Sequence, residues 1–390
     1  MAGPWSQTVI AVVWDFDKTL IPGNMQSPLF ARYGVDERAF WDEVDALRDF
    51  YLAHGARRVN EDSLYLNHIL EYVRSGVFKG LSNAVLRELG AELTFHPGMP
   101  EFLAALRATI EEEPAFERAD ITLEHYVIST GLRPMIEGSA VRPYLEDVWA
   151  CEFIEAHHPP GFRRPEQAQL FPAHELTALG YEIDNTSKTR ALFEINKGTN
   201  KRPEIHVNSA LPRELRRVPF EHMIYVADGP SDVPAWSVVR SEGGRAFGVY
   251  QHGSLAQFEQ ISQLQRDGRI HAFAEADYRP DSTAYLWLTT EVRRIAEGIV
   301  EERELAMRRA VRSAPRHVSD EPSTTPTDAP LEIPTQPFAA GAAAAPAPAI
   351  EPMPARTRAD EIRDAVRRSL ADAERAVPEP RPETERVHRD

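Results

Sequence analysis

The stretch that most constrains this chain is Thr8 to Leu20, TVIAVVWDFDKTL. Val9 to Trp14 is an unbroken apolar run rich in β-branched residues, the pattern of a strand buried on both faces of a parallel sheet. It stops at Asp15-Phe16-Asp17-Lys18-Thr19. Two carboxylates two residues apart, directly beyond a buried strand, are costly without a partner. In open α/β sheets that position is where ligands bind. Such a pair offers one carboxylate that attacks or binds a metal and a second that moves a proton. By itself the same pair also reads as an Asx-type turn with solvated acids.

Beyond the break at Pro22, Gly23 and Asn24, the pattern turns helical to about Leu93. Phe40, Val44, Leu47 and Tyr51 recur at helical spacing, with Asp36 as N-cap and Gly55 as stop. Leu66, Ile69, Leu70 and Val73 mark a second helix ending near Gly76, and Ser82 caps a third carrying Val85, Leu86 and Leu89. Arg57 and Arg58 lie between these helices. Such a pair can hold an anionic group, although it is more often simply solvated. His96 to Pro100 is a turn, with Pro100 suited to the first position of a helix carrying Phe102, Leu103, Leu106 and Ile110. Glu111 to Pro114 should end it.

Ile121 to Ile128 reads as a second core strand, closing on Ser129-Thr130-Gly131. A hydroxyl there can donate to an anionic oxygen beside free backbone N–H groups; Ser129 is the first choice by position and Thr130 the second. A plain N-cap is the alternative. Val148 to Ile154 is another strand. His157 and His158 are adjacent and point to opposite sides of an extended chain, so they read as loop residues, and Phe162 to Ile183 as a small β excursion. Asn185 to Lys188 opens a helix over Thr189 to Asn196, which Gly198 stops. A lysine at a helix N-terminus opposes the dipole, so Lys188 makes sense facing a carboxylate or a phosphate. Lys197 is the rival, but the dipole alone explains a lysine at a C-terminus.

Asn200 to Pro219 is an irregular loop. His222 to Ala227 is a core strand ending in Asp228-Gly229-Pro230-Ser231-Asp232, two acids four apart that can reach one divalent cation. Gly244 to Tyr250 reads as the last core strand, followed from Ser254 to Ala310 by closing helices, among them the amphipathic Thr289 to Glu302.

Composition sets the outer limits. Of 390 residues, 42% are hydrophobic, enough for a sizeable core. The net charge of -16 argues against broad nucleic-acid binding, which needs basic residues to neutralise phosphates. A single cysteine, Cys151, rules out an internal disulfide and fits a reducing compartment. The N-terminal MAGPWSQ has no basic region before an apolar one, and no apolar run is long enough to span a bilayer, so a cytoplasmic protein without membrane contact is expected. Beyond Arg312 lie 13 of the 31 prolines and one aromatic, Phe338. That segment cannot bury enough apolar surface to fold alone. Arg358 to Ala376 can form one exposed helix, a candidate element for a protein partner.

Taken together, DFDKT after an apolar strand, the strand ending in Ser129, the lone Lys188 before a helix, and Asp228 with Asp232 resemble, in order, the four motifs of the haloacid dehalogenase superfamily. Ala227 stands where that family often has Gly or Asp, and both acids are kept. The resemblance spans about Val9 to Tyr250. It is strongest to the phosphoserine-phosphatase-like branch, in which a helical cap follows the first motif.

The resemblance implies an α/β fold: a Rossmann-like parallel sheet flanked by helices over 1–21 and 94–310, a helical cap over 22–93, and a disordered tail over 311–390 with a helix at 358–376. It implies a Mg²⁺-dependent phosphatase acting on a small phosphomonoester through an aspartyl phosphate. Asp15 would be nucleophile and Asp17 acid and base. Ser129 and Lys188 would hold the phosphoryl group, together with Thr130 and Gly131 and with Arg57 and Arg58 from the cap. The metal would lie among Asp15, the backbone carbonyl of Asp17, Asp228 and Asp232. A phosphotransferase would leave the same motifs. A silent binding protein working through its tail would more readily have lost one of these residues.

Overall fold

β1 (Val9–Trp14) lies in the middle of the sheet, and Ile10 to Trp14 are fully buried. Each side chain of this kind contributes roughly 1.5–3 kcal/mol by leaving water. The structure, a computed structural model, describes residues 7–155 and 175–310. His157, His158, most of the Phe162 to Ile183 excursion and the whole tail, including the helix forecast at 358–376, lie outside the described residues.

Four helices follow β1: α1 (Ser27–Tyr33), α2 (Glu37–Ala53), α3 (Leu64–Arg74) and α4 (Asn83–Gly90). Asp36 caps α2 by accepting from the backbone N–H groups of Arg38 and Ala39 at 2.9 and 3.1 Å, and Ser82 caps α4 by accepting from Val85 at 3.2 Å. Each cap is worth about 1 kcal/mol. α1 had no sequence forecast; it is only seven residues long, with a proline in its first turn. The chain then runs through α5 (Glu101–Glu111), α6 (Pro114–Arg118), β2 (Thr122–Leu132), α7 (Arg133–Gly138) and β3 (Leu145–Ile154). Two details differ from expectation. Pro100 caps α5 from just outside it, and Pro114 opens α6 instead of merely closing α5.

β4 (Ala178–Tyr181), α8 (Lys188–Lys197), β5 (Met223–Ala227), α9 (Val233–Ser241) and β6 (Arg245–Tyr250) follow. α10 (Leu255–Arg266), β7 (Ala272–Glu275) and α11 (Thr283–Ala310) complete the described chain. β6 is therefore not the last strand. β7 adds a short parallel edge beyond it, and the forecast Thr289 to Glu302 helix is the middle of the longer α11. Among the described residues no helix is long and apolar enough to cross a membrane.

The strand order is β4-β3-β2-β1-β5-β6-β7, parallel throughout except for β4, which runs against β3. The chain moves outward from β1 through β2 to β3, then returns to β5 on the other side of β1. The switch point thus falls between β1 and β5, where loops diverge and leave a crevice at the carboxyl ends. Trp14 pairs with Val226 across that junction, so the residues after each strand emerge side by side. His125 locks this region from behind. It accepts from Trp14 Nε1 at 3.2 Å and lies 2.9 Å from the Leu103 carbonyl, and burial pushes its pKa down to about 3, so it stays neutral.

α4 is fixed to α7 by two glycines. A Cβ on Gly90 would lie 2.0 Å from the Met135 carbonyl oxygen, and one on Gly138 would lie 1.8 Å from that of Arg87. The two backbones touch, so the last helix before the return to β2 is anchored on the sheet layer while α2 and α3 stand over the strand ends.

Candidate active site

Topology brings four loops together at the carboxyl ends of the strands. Asp15 leaves β1, and its backbone N–H still donates to Val226 of β5 at 2.9 Å. Asp228 leaves β5 beside it. Ser129 comes from β2, whose ladder slips between Ile128 and Leu132 as the chain turns toward α7. Lys188 comes from the first turn of α8.

Lys188 is only 1% exposed, and its Nζ lies 2.8 Å from Asp15 Oδ1 and 2.6 Å from Asp232 Oδ1. A buried ammonium between two carboxylates explains why a lysine stands at the wrong end of a helix dipole. Burial works to lower the Lys188 pKa, but the two facing carboxylates outweigh it and leave it raised. Lys197 is placed elsewhere: it donates to the Ser209 carbonyl at 2.8 Å and to that of Val207, pinning the following loop. Asp232 is fully engaged, accepting from Lys188, from Tyr225 Oη at 2.6 Å and from Ser231 Oγ at 2.9 Å. Tyr225 is a site residue the sequence did not disclose. Its place in an all-apolar strand hid the fact that a buried hydroxyl needs a partner.

Asp15 Oδ2 accepts from Thr19 Oγ1 at 3.2 Å. Asp17 is held by the Met25 backbone N–H at 3.0 Å, and Ser129 Oγ accepts from Gly131 N–H at 3.0 Å. Gly131 lets the Met25 side chain pack close, since a Cβ there would lie 2.2 Å from Met25 Cε and displace it. Burial pushes the Asp15 carboxyl up to about 6 against the pull of Lys188. Burial, with the charge of Asp15, pushes Asp17 up to about 8 and Asp228 up to about 7. Three carboxylates raised together mark a site with more negative charge than its one buried ammonium can balance.

Among the described residues, Asp15, Asp228 and Asp232 form a group whose ligand oxygens lie within 4.8 Å of one another. That group could hold a metal ion. The donors are all hard oxygens, and Asp228 makes no hydrogen bond of its own among the described residues, so a hard divalent cation suits the set. Asp232 belongs to that group and is also tied to Lys188 at 2.6 Å.

These residues line a cavity of about 300 Å³. Its floor carries Asp15, Asp17, Lys18, Ser129, Thr130, Gly131, Lys188 and Asp228. Its opposite wall carries Trp41, Val44 and Asp45 from α2, then Glu61, Asp62 and Tyr65. Arg57 and Arg58 do not join them. Both are exposed and lie off the cavity, in the link between α2 and α3. A larger cavity of about 470 Å³ opens at the other end of the strands, beside Gln7 and His222. There Arg213 is paired with Glu221, while Arg216 and Arg303 donate to backbone carbonyls, so it offers no comparable excess of charge.

No family model matches the sequence. The chain is 36% identical over 289 residues, 73% of its own length and 97% of the other's, to an uncharacterized protein of Borreliella burgdorferi. Among solved structures it is similar to a HAD-family hydrolase from Salmonella enterica serovar Typhi, at 14% identity over 74% of this chain and 72% of that one, with a TM-score of 0.42. It is also similar to a probable phosphoserine phosphatase from Vibrio cholerae, at 11% identity over 76% and 69%, with a TM-score of 0.41. A further phosphoserine phosphatase aligns at 14% identity over 68% and 92%, with a TM-score of 0.36. The chain belongs to one family with the uncharacterized Borreliella burgdorferi protein.

Proposed function

We propose that this protein is a metal-dependent phosphatase that hydrolyses a small phosphomonoester through a phosphoryl group carried on Asp15. The observation that supports it best is the paired state of two carboxylates two residues apart. Asp15 is held by Lys188 and Thr19 at the cavity floor, while Asp17 is pushed into the range where it still carries a proton near neutral pH.

In this reading an Asp15 carboxylate oxygen attacks phosphorus, and the bond from phosphorus to the ester oxygen breaks. Asp17 gives its proton to the departing oxygen. Water then attacks the aspartyl phosphate, Asp17 takes the proton from that water, and inorganic phosphate leaves. A carboxyl poised near the working pH suits both directions. Lys188 and the Ser129 hydroxyl hold the phosphoryl oxygens, with the Thr130–Gly131 backbone beside them. A divalent cation bound by Asp15 and Asp228 would offset repulsion between the carboxylate and the phosphate dianion, and Mg²⁺ is the ion we assign.

Helices α1 to α3 act here as a cap that excludes water, and a reducing, cytoplasmic setting suits the single buried thiol, whose pKa burial raises to about 11. The test is an assay of phosphate release from a panel of phosphomonoesters, with and without Mg²⁺, beside Asp15→Asn. Mg²⁺-dependent release that the substitution abolishes is the expected outcome. Release that persists in the variant would overturn the assignment of Asp15.

A further inference from the structure

The wall opposite Lys188 describes the organic half of the substrate, provided the site is the phosphatase proposed above. That wall carries three carboxylates, Asp45, Glu61 and Asp62, and no lysine or arginine. Two of the three are committed. Glu61 pairs with Arg48 at 2.7 Å, and Asp62 accepts from the Asn185 backbone and side chain at 3.2 and 3.0 Å. Asp45 makes no hydrogen bond or ion pair among the described residues.

A second observation is independent of these acids. Gln26 lines the same cavity, is 2% exposed, and its Oε1 is buried with no hydrogen-bond partner among the described residues. Its orientation follows from Tyr65. The Tyr65 hydroxyl spends its proton on the Thr130 carbonyl at 2.6 Å, so the hydrogen bond between Gln26 and Tyr65 must use the amide N–H of Gln26. That leaves Oε1 as a buried acceptor awaiting a donor. Trp41, beside Asp45 on α2, adds an aromatic surface of the type that attracts cations.

Gln26 Oε1 is a buried acceptor without a donor, and Asp45 adds an unpaired negative charge to the same cavity, so one charged donor would suit both. The cations of the cavity are on the floor. Lys188 is paired with Asp15 and Asp232 and keeps its third N–H for the phosphoryl group, and Lys18 lies near the charges of Asp17 and Asp228. A carboxylate or a second phosphate on the substrate away from the reacting end would meet the unpaired charge of Asp45 on this wall, and the cavity's one cation outside an ion pair among the described residues, Lys18, lies on the floor. A second metal does not explain the wall either. Among the described residues, the carboxylates that approach within 4.8 Å of one another are Asp15, Asp228 and Asp232.

We propose that the substrate is the phosphomonoester of an amino alcohol, with its phosphate on Lys188 and Ser129 and its ammonium group received by Asp45, the Gln26 carbonyl and the face of Trp41. Asp45 is the specificity-determining residue. The chemistry distinguishes such esters from phosphorylated amino acids, whose carboxylate this wall would repel.

The experiment compares kcat/KM for phosphoethanolamine, for 2-hydroxyethyl phosphate, in which hydroxyl replaces ammonium, and for phosphoglycolate, which carries a carboxylate. The expected order is ammonium, hydroxyl, carboxylate, with a first step of at least about tenfold, the size of one charge-assisted contact. Asp45→Asn, an exposed and structurally mild change, should shrink the ammonium-to-hydroxyl ratio several-fold. A wild-type ratio near one, a preference for the carboxylate ester, or an unchanged ratio in Asp45→Asn would overturn the proposal while leaving the phosphatase reading intact. If none of the three esters is hydrolysed while another phosphomonoester of the panel is, the proposal is overturned and the phosphatase reading stands; if no phosphomonoester is hydrolysed, the phosphatase reading fails, and calorimetric binding of the same esters decides the second claim. Tighter binding of phosphoethanolamine than of 2-hydroxyethyl phosphate supports it, and equal binding overturns it.

Discussion

Two buried charge clusters stand on this one sheet, and they are built on opposite principles. Near the start of β2, Arg217 grips Glu124 with both arms of its guanidinium and also donates to Tyr126 at 3.0 Å. Burial alone would raise the Glu124 pKa, but hydrogen bonds and charge from Arg217 leave it lowered. At the other end of the strands, Asp15, Asp17 and Asp228 are all raised, and only Lys188 is buried among them. The first cluster is balanced and does no more than hold the fold. The second carries surplus negative charge beside a cavity, which the fold tolerates only because something else is meant to bind there.

That contrast is open to direct attack. The largest effect is expected from Asp15→Asn, which should reduce phosphate release on the order of 10⁴-fold or more. The protein should remain folded, because Lys188 keeps Asp232 and the substitution removes surplus charge. Arg217→Met should do the reverse. It leaves the largely buried Glu124 with the Tyr126 hydroxyl alone to meet its charge and should cost about 3 kcal/mol in a urea titration. A double change of Arg217→Met with Glu124→Leu should recover much of that loss. If the single change costs nothing, the balanced cluster is not what holds β2 in place.

The surplus charge also predicts a pH dependence. A carboxyl whose pKa is higher folded than unfolded binds more protons in the folded state, so its folded state loses stability as pH rises. For the site acids that loss runs from the ordinary value of 3.8 up to about 8. A divalent cation favours the charged forms and should cancel it. The rise in Tm on adding Mg²⁺ should therefore be larger at pH 8 than at pH 5, and Asp228→Asn should flatten the difference. An Mg²⁺ effect independent of pH would contradict the account. The smallest effect is expected from Arg57→Ala with Arg58→Ala. Both side chains are exposed and off the cavity, so kcat/KM should stay within about twofold.

How much of this could be read from the chain divides along the same line. β1, β2, β3 and β5 were legible because a buried strand must be a continuous apolar run, and the ends of β1 and β5 were legible because an acid after such a run has a cost that demands a reason, whereas β2 runs on past the forecast end to Leu132. The same cost located Asp15 and Asp228, and the helix dipole, which a lysine at an N-terminus opposes, located Lys188. α1 and β7 were not legible. Seven residues with Pro28, and the four residues Ala272–Glu275, are too short to impose a period. The wall that α2 contributes was hidden for a different reason. Trp41 and Asp45 sit on a helix whose repeat records only which face packs, and Gln26 and Tyr65 acquire their meaning from each other across the fold. Arg57 and Arg58 invited a functional reading by charge alone, and the turn that carries them leads away from the cavity.

The most direct measurement is on Asp15 itself. Protein turning over a phosphomonoester in Mg²⁺ should be quenched in acid, digested, and the peptide containing Asp15 examined by mass spectrometry. The account predicts a phosphoryl group on Asp15 that disappears on chasing with unlabelled buffer and is absent from Asp15→Asn. Turnover with no label on that peptide, or with the label on Ser129, would contradict it.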